Sequence, residues 1–375
     1  MSGRRVLVAT VVHHPLDARV RHRQIEALLQ DGWQVTYAAP WTAYGVEQPT
    51  DTQGLTAIDL PRASGWRRLG AQRAFSRLLR SVGPNHDVVL IHDPELLLTS
   101  VGRDLPPVVW DVHEDTAAAM QIRPWVPAPL RSPAAAVIRR AEGWAEGRHR
   151  LLLADAAYAT RFRRAHAVVP NATVVEPHPA PAGVLDQHGR HRVVYLGSVT
   201  MERGVRQLVE VGRRLHEETG DKVRLEVVGP AHGRAKALLA AADQAGHLDW
   251  FGFVPNTLAL RRLDGALAGL SLLHDEANFR PSMPTKIIEY LAHAVPAIST
   301  PLPVAAELVT TSGGGVLVPF LDTDQTVAQL LAWHADPEQA ARIGRQGHSF
   351  VEVEHNWSLL SAGFLGALRA AADSR

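Results

Sequence analysis

The stretch that decides the fold is RRVLVATVVHHPLDARVRHRQIEALLQDGWQVTYAA, which spans residues 4–39. Its two ends are short runs of β-branched and other apolar residues, typical of buried strands, while its middle part, from about Ala18 to Gln30, has helical periodicity. Asp17 stands where a helix N-cap is expected, and Gly32 stands where a glycine stop is expected. The stretch therefore predicts a strand, a helix and a second strand parallel to the first.

The same alternation continues along the chain. In the first half, strands are predicted at residues 55–60, 87–93, 107–113 and 167–169, and one long helix at 134–154. A stretch rich in Pro, Gly and His at 176–190 predicts a linker. Beyond it, strands are predicted at 192–197, 223–229, 248–252, 269–274 and 295–300, and helices from Asp324 onward. The sequence therefore predicts an α/β protein of two doubly wound halves.

Composition and charge narrow the class of protein. The 375 residues are enough for two cores, and the formal net charge of +1 is too small to predict nucleic acid as a partner. There is no cysteine, which excludes disulfides, thiol nucleophiles and thiolate metal sites. The first residues lack the apolar region of a signal peptide, and no run of about 18 apolar residues occurs, so we expect a cytoplasmic protein.

The loops after the first strand of each half differ. In the first half this loop, VATVVHHPLDAR, contains no glycine, which argues against a nicotinamide-dependent dehydrogenase. In the second half, YLGSVTMERGVRQL places Gly197, Arg203 and Gly204 between a strand and an amphipathic helix. A guanidinium at the mouth of a helix can pair with a diphosphate, whereas the alternative is a solvent-facing arginine.

The most informative segment for function is NFRPSMPTKIIEYLAHAVP, residues 278–296. Its prolines predict an extended loop, Thr285 predicts a helix cap, and Lys286 and Glu289 lie three residues apart on one helix face. Lys286 is one of three lysines among 39 basic residues, which indicates that a compact point charge is needed here. The alternative is an ordinary exposed ion pair.

Together these pieces resemble the family-four retaining glycosyltransferases, of the glycosyl transferases group 1 type, over essentially the whole chain. The resemblance is carried by D-x-R-V at 17–20, DVHE at 111–114, VVPNA at 168–172, YLGS…ERG at 195–204, VVG at 227–229 and P-x-K-x-x-E-Y at 284–290. It implies the GT-B fold, in which two Rossmann-like doubly wound domains face each other across a cleft. It also implies an acceptor domain at 1–185, a nucleotide-sugar donor domain at 190–350, and a C-terminal helix at 351–375 that packs back on the first domain.

The resemblance also assigns roles. Glu289 would hold the ribose hydroxyls of the nucleotide, Arg203 and Lys286 would neutralise the diphosphate, and His113 would contact the donor sugar. The catalytic set is thus His113, Arg203 and Lys286. Family members retain the anomeric configuration, and the leaving phosphate helps to deprotonate the acceptor. The resemblance therefore implies a metal-independent glycosyl transferase without a cofactor, whose co-substrate is a UDP-, GDP- or TDP-linked sugar.

The walls of the donor site follow from the same resemblance. The backbone at Gly197 and Ser198 would approach the phosphates, and Phe253 and Val254 would line the base pocket. The full set predicted for donor binding is Gly197, Ser198, Arg203, Phe253, Val254, Ser282, Met283, Lys286 and Glu289.

One departure from the family pattern concerns the donor sugar. The family has a glutamate eight residues before Glu289, and here that position is Pro281. We therefore expect Glu276 and Asn278, or Asp275 beside them, to take over contacts to the sugar.

Acceptor contacts are predicted in the first domain, at His13, His14 and Asp17 and in the loops at 41–51 and 121–130, because loops at strand ends carry function. The acceptor would be a small molecule, a saccharide or a lipid-linked compound. Adjacent histidines do not easily point the same way, and no second ligand pair is spaced for a metal, so no metal site is predicted.

Arg73, Arg77 and Arg80 form a basic helix face. It fits either a peripheral contact with an anionic membrane or an ordinary solvated surface.

Two other functions stay open. A sugar-nucleotide epimerase would use the same fold, but it needs carboxylate acid/base groups. A non-catalytic sugar-nucleotide-binding subunit is the other alternative, because a motif can persist after chemistry is lost.

Overall fold

The chain forms two compact units. The computed structural model describes residues 3–50, 52–101, 104–113, 115–117 and 127–374. The first unit comprises Met1–Asn171 together with Leu359–Arg375, and the second comprises Ala172–Ser358. Each unit is built on its own sheet and buries its own apolar core.

A seven-stranded sheet forms the centre of the first unit. Its strands are β1 (Arg5–Ala9), β2 (Gln34–Ala39), β3 (Leu55–Asp59), β4 (Val88–Ile91), β5 (Val108–Val112), β6 (Arg150–Leu153) and β7 (Ala167–Val168). Their order is β3-β2-β1-β4-β5-β6-β7, and every neighbouring pair is parallel. The order reverses between β1 and β4, the kind of switch point at which ligands bind in such sheets.

The helices of the first unit cover this sheet. A π-helical turn, Val20–Ile25, leads into α1 (Glu26–Gln30), which is followed by α2 (Trp41–Tyr44), α3 (Arg68–Val82) and α4 (Ala128–Glu146). The side chain of Asp17 accepts from the backbone N–H groups of Arg19 and Val20, and Gly32 has a φ of 82°. The predicted cap and stop of this first helical segment are therefore confirmed.

The second unit is built in the same way around six parallel strands. They are β8 (His191–Leu196), β9 (Val223–Val228), β10 (Asp249–Gly252), β11 (Ala268–Ser271), β12 (Ala297–Ser299) and β13 (Gly315–Leu317). Their order is β10-β9-β8-β11-β12-β13, with the reversal between β8 and β11. The predicted class, two parallel-sheet α/β domains, is confirmed.

The second unit has more helices than the first among the described residues. They are α5 (Val205–Thr219), α6 (Gly233–Gln244), α7 (Asn256–Arg261), α8 (Thr285–Ala292), α9 (Pro303–Ser312), α10 (Thr323–Ala335) and α11 (Pro337–Glu354). The last helix, α12 (Trp357–Ala372), begins in the second unit and continues in the first, where Arg369 pairs with Asp31. Within the described ranges, no helix combines the length and apolarity needed to cross a bilayer.

Two details of the predicted organisation are wrong. The long helix predicted at 134–154 ends at Glu146, and Leu151–Leu153 lie in β6 because this apolar run pairs in parallel with β5. The first unit also ends at Asn171 rather than at residue 185. Val175, just before the predicted linker at 176–190, and Ala182, within it, are buried in the cores of the second unit. The predicted linker therefore belongs to that unit.

A buried ion pair ties together three segments of the first unit. Arg19 donates to both oxygens of Asp111, at 2.8 Å each, and to the carbonyl oxygen of Val169 at 3.0 Å. Burial alone would raise the pKa of Asp111, but the charge and hydrogen bonds of Arg19 hold it well below its usual range. The pair thus joins the three motifs D-x-R-V, DVHE and VVPNA through Arg19, Asp111 and Val169. Glu114 of DVHE lies outside the described residues.

Replacing Asp111 with Asn tests how strongly this pair supports the first unit. We expect Asp111→Asn to lower the free energy of unfolding by about 3–5 kcal/mol, because it leaves a buried guanidinium without its counter-charge. Urea denaturation followed by circular dichroism measures this change.

A matched control is Asp373→Asn, which removes the partner of Arg4 at an exposed pair of the same unit. This change should cost no more than about 1 kcal/mol. Equal losses in the two variants would show that the buried pair has no special role.

Candidate functional site

Lys286 is the most unusual charged residue of the second unit. It is the second residue of α8, and its ammonium nitrogen Nζ is buried, with no hydrogen-bond partner among the residues that the structure describes. Nζ lies 3.7 Å from the centroid of the Tyr195 ring. Burial, and then repulsion by Arg203, hold the pKa of Lys286 well below its usual range, against the attraction of Glu289. A buried ammonium without a hydrogen-bond partner is costly, so this position favours the binding of an anion.

Arg203 is the second cation of this site. It lies in the loop between β8 and α5, directly before Gly204, which is the N-cap of α5. Its guanidinium lies 5.8 Å from the centroid of the Phe279 ring, and within the described ranges it makes no ion pair. Arg203, Lys286 and the N-terminus of a 15-residue helix together favour a polyanion such as a diphosphate.

The backbone around Gly197 leaves room beside the ammonium. Gly197 follows β8 directly and has a φ of 108°, a conformation that L side chains rarely adopt. A Cβ atom placed there would lie 4.0 Å from Nζ of Lys286. The end of the neighbouring strand β9 is tight by contrast, because a Cβ at Gly229 would lie 1.9 Å from the carbonyl oxygen of Gly197. The space beside Gly197 is compatible with the approach of a ligand to the backbone at the end of β8; the roles of Gly197 and Ser198 stay a prediction.

Tyr290 fixes α8 against the sheet at its switch point. Its hydroxyl accepts from the backbone N–H of Leu196 in β8, at 3.1 Å, and donates to the carbonyl oxygen of Leu270 in β11, at 2.9 Å. The hydroxyl thus bridges the two strands where their own ladder has ended. The tyrosine of P-x-K-x-x-E-Y therefore has a structural role, and it fixes the position of Lys286, one turn earlier, and of Glu289, directly before it.

The remaining residues predicted for the donor site lie around the same sheet edge. Glu289 is buried on α8, and Ser198 is exposed after β8, where its carbonyl oxygen accepts from Tyr195. Phe253 follows β10 and is 54% exposed. Val254 and Met283 are partly buried against the core, and the Ser282 hydroxyl donates to the backbone of Asn278.

The loop before α8 differs from its predicted form. Pro281 lies in a turn rather than in extended backbone, and Thr285 is the first helical residue, so the cap position is Pro284, which offers no side-chain cap. Asp275 is engaged by Arg280 through two hydrogen bonds of 2.7 and 2.8 Å. Of the three residues expected to replace the missing glutamate, Glu276 and Asn278 are the ones whose side chains make no hydrogen bond to the described part of the chain.

A cluster of histidines occupies the switch point of the first unit. Nε2 of His113, which follows β5, lies 2.9 Å from Nε2 of His13, which follows β1. Nδ1 of His113 donates to the backbone oxygen of Asp111 at 3.1 Å, so its Nε2 accepts from His13. Burial, and then the neighbouring His13, lower the pKa of His113 to about 3, so the ring is neutral at ordinary pH.

Two residues of this cluster were missed in the sequence. His92 and Asp93 follow β4, and Oδ2 of Asp93 accepts from the backbone of Val11 at 2.5 Å and from the Thr10 hydroxyl at 2.9 Å. Oδ1 of Asp93 lies 3.4 Å from Nε2 of His13. Polar residues directly after a buried strand were the available signal, because such residues gather at one sheet edge.

The cluster also contains ligand types for a metal. One ligand atom from each of His92, Asp111 and His113 lies within 4.8 Å of the others, which sequence spacing did not indicate. Both oxygens of Asp111 already accept from Arg19, however, and that guanidinium places a fixed positive charge beside any cation. The charge of Arg19 therefore argues against a cation at these three residues.

The two other residues predicted for the acceptor have clear local partners. The ring of His14 packs edge-on against Tyr44 at 4.8 Å between centroids, so it points away from His13, as expected. Asp17 uses its side chain to cap the helical segment that follows. Of the predicted acceptor loops, residues 121–126 and Asp51 lie outside the described residues.

Comparisons with known proteins agree with this architecture. Residues 183–350 match the family described as Glycosyl transferases group 1. WcaL of Escherichia coli (strain K12), assigned as a colanic acid biosynthesis glycosyltransferase, is 24% identical over 198 residues, which cover 52% of this chain and 47% of that protein. The matched part thus spans about half the length of this relative.

Two solved structures are similar over the full chain. Sucrose-phosphate synthase from Thermosynechococcus elongatus has a TM-score of 0.75, 15% identity and coverage of 100% of both chains. HepE (Alr3699) of Anabaena, solved with UDP and glucose, has a TM-score of 0.66 and 11% identity, and the match covers 98% of this chain and 99% of that one. At such identities the similarity shows the fold alone, and that fold is GT-B. The similarity to glycosyl transferases group 1 thus covers residues 183–350, within a chain that has the GT-B fold.

Proposed function

We propose that this chain is a glycosyltransferase that transfers a sugar from a nucleotide diphosphate sugar to an acceptor with retention of anomeric configuration. The proposal rests above all on Lys286, a buried ammonium without a hydrogen-bond partner in the described part of the chain, placed beside the open backbone of Gly197. A diphosphate is the anion that both this geometry and the group 1 domain favour.

Lys286, Arg203 and the N-terminus of α5 would promote the reaction by electrostatic stabilisation. When the bond between the sugar and the diphosphate breaks, negative charge grows on the departing phosphate. Lys286, Arg203 and the N-terminus of α5 are fixed before the reaction begins, so they stabilise that charge without reorganising. Catalysis of this kind needs no cofactor, and, as the resemblance implies, the phosphates are neutralised by these cations rather than by a metal ion.

The identities of the donor and the acceptor are proposed from similar proteins. HepE was solved with UDP and glucose, which supports a UDP-linked sugar among the UDP, GDP and TDP alternatives. WcaL is assigned to colanic acid biosynthesis, which supports a saccharide acceptor, free or lipid-linked. Glu276 and Asn278 are proposed to contact the donor sugar in place of the absent glutamate, and His113, His13, His14 and Asp17 keep their predicted roles toward sugar and acceptor.

Nucleotide binding is the first test. UDP, GDP, TDP and ADP are screened by thermal shift, because a ligand that binds the folded state raises its melting temperature. We expect one of them to raise it, and we expect Lys286→Ala and Glu289→Ala each to weaken that nucleotide by about 1–3 kcal/mol, or roughly 5- to 150-fold in Kd by calorimetry. The reason is the loss of a charge-assisted hydrogen bond in each variant.

Matched controls are Lys236→Ala and Glu307→Ala, which remove exposed charges of the same unit. Both should bind the nucleotide as the parent does. Lys286→Ala should also keep the melting temperature of the unliganded protein, because the ammonium it removes has no hydrogen bond to lose. The absence of a shift with all four nucleotides would refute the donor site.

Proton uptake on nucleotide binding is a second test of Lys286. Its pKa in the unliganded protein lies well below the 10.5 of a free lysine, and a phosphate beside it favours the charged form and raises that pKa. Binding should therefore take up protons above the lowered pKa, and affinity should fall as the pH rises through it. Calorimetry in two buffers of different ionisation enthalpy, between about pH 7 and pH 9, measures the uptake.

The matched variant for this test is Lys286→Arg. It keeps a cation that stays protonated, so its uptake should disappear. Heats that are equal in the two buffers at every pH for the parent protein would contradict the role of Lys286.

Sugar release tests the reaction itself. Slow hydrolysis of the bound nucleotide sugar, followed by NMR, should first give the anomer present in the donor. His113→Ala should lower its kcat about tenfold or more, because a contact to the sugar is lost, whereas His178→Ala, at an exposed histidine, should leave it unchanged. The opposite anomer would refute retention, and binding without any sugar release or transfer would favour the non-catalytic subunit.

A further inference from the structure

Helix α3 presents two contrasting faces. Ala71, Phe75 and Leu79 face inward and are fully buried in the core of the first unit. The opposite face continues into the turn before the helix. Because its residues follow at intervals of three or four, they form one continuous line on the surface. This line, called here the α3 stripe, consists of Trp66, Leu69, Arg73, Arg77 and Arg80.

The amino end of the α3 stripe exposes large apolar side chains. Trp66 is 96% exposed and Leu69 is 58% exposed. An indole is usually among the most covered side chains of a folded protein, so a nearly complete exposure indicates a surface that meets something else.

The rest of the α3 stripe carries positive charge that the described part of the protein does not balance. Arg73, Arg77 and Arg80 are exposed and make no ion pair with any described residue, and α3 contains no acidic residue. On α5, by contrast, Arg213 and Arg214 both pair with glutamates one turn away. What distinguishes the α3 stripe is that its unpaired arginines lie in one line with the exposed Trp66 and Leu69.

The two parts of the α3 stripe fit the layers of a lipid surface. From Trp66 to Arg80 the helical rise gives a line of about 21 Å. Tryptophan and leucine at one end suit the boundary between headgroups and acyl chains, while arginines spread their apolar stems over the surface and bind phosphates with their guanidinium groups.

We propose that the α3 stripe docks the first unit on a bilayer that contains anionic lipids. Trp66 and Leu69 enter the headgroup layer, and Arg73, Arg77 and Arg80 contact lipid phosphates. The attachment is peripheral and reversible, and it is independent of the proposed transferase activity. A lipid surface is favoured over nucleic acid because the apolar end of the stripe has a use there and because the net charge of the whole chain is only +1.

Co-sedimentation of the full chain with vesicles tests the proposal. Vesicles of phosphatidylcholine alone are compared with an equal mixture of phosphatidylcholine and phosphatidylglycerol. We expect binding to the mixed vesicles that weakens as salt is added. The triple variant Arg73→Gln, Arg77→Gln and Arg80→Gln should bind about a hundredfold more weakly, at about fivefold per arginine, and Trp66→Ser alone should weaken binding several-fold.

The matched control removes three exposed arginines that lie elsewhere, by Arg234→Gln, Arg342→Gln and Arg345→Gln. It changes the net charge equally and should bind as the parent does, and all variants should keep the parent's melting temperature. Failure of the parent to sediment with mixed vesicles would overturn the proposal, and so would equal losses in the two triple variants. Retention on heparin that depends on the α3 stripe, with vesicle binding unaffected by its loss, would reassign the stripe to a soluble polyanion.

Discussion

Between two neighbouring parallel strands the chain must cross back to the end of the sheet where the first strand began. This constraint governs both units. All carboxyl ends then meet at one edge, where loops lead into helix N-termini. The residues with unusual chemistry occupy that edge in each sheet: His13, Asp93 and His113 in the first unit, Gly197 and Arg203 in the second. Local sequence decides which side chain stands there, and topology decides which side chains become neighbours.

The two units handle buried charge in opposite ways. In the first, the guanidinium of Arg19 finds a carboxylate and a carbonyl oxygen, so its charge is balanced within the fold. In the second, Lys286 is held over the ring of Tyr195 without a hydrogen bond to the described residues. The first arrangement contributes to a unique structure, whereas in the second the cost of burying the charge lowers the pKa of Lys286 and favours a bound anion.

Much of the fold could be predicted because strand and helix patterns are local. The apolar runs at 192–197 and 223–229 became β8 and β9, and the capping role of Asp17 followed from its place before the helix. Leu151–Leu153 were assigned to a helix because a short apolar run after a helix carries no period of its own, and only pairing with β5 makes it a strand.

Long-range contacts limited the prediction of the site. The sequence singles out Lys286 because lysine is rare in this chain. That its ammonium lacks a hydrogen-bond partner among the described residues depends on the position of α8, which Tyr290 ties to β8 and β11. The contact between His13 and His113 joins positions that are 100 residues apart, and Asp93 is linked to them through the backbone of Val11, just after β1. No spacing rule covers such contacts. The position of Thr285 was misjudged for a different reason, since a proline before a helix can occupy the cap position itself.

The Arg19–Asp111 pair has a consequence for how this sequence can change over time. The two residues are separated by 92 positions, yet each is tolerated only while the other is present. A lineage that loses either one first passes through a chain with an isolated buried charge, and the second replacement comes too late to rescue it. The pair therefore constrains substitution at both of its positions in the first unit. The unpaired arginines of α3, by contrast, can be gained or lost singly. Proteins that share this fold can thus diverge quickly in what their surface meets and only slowly in what holds the fold together.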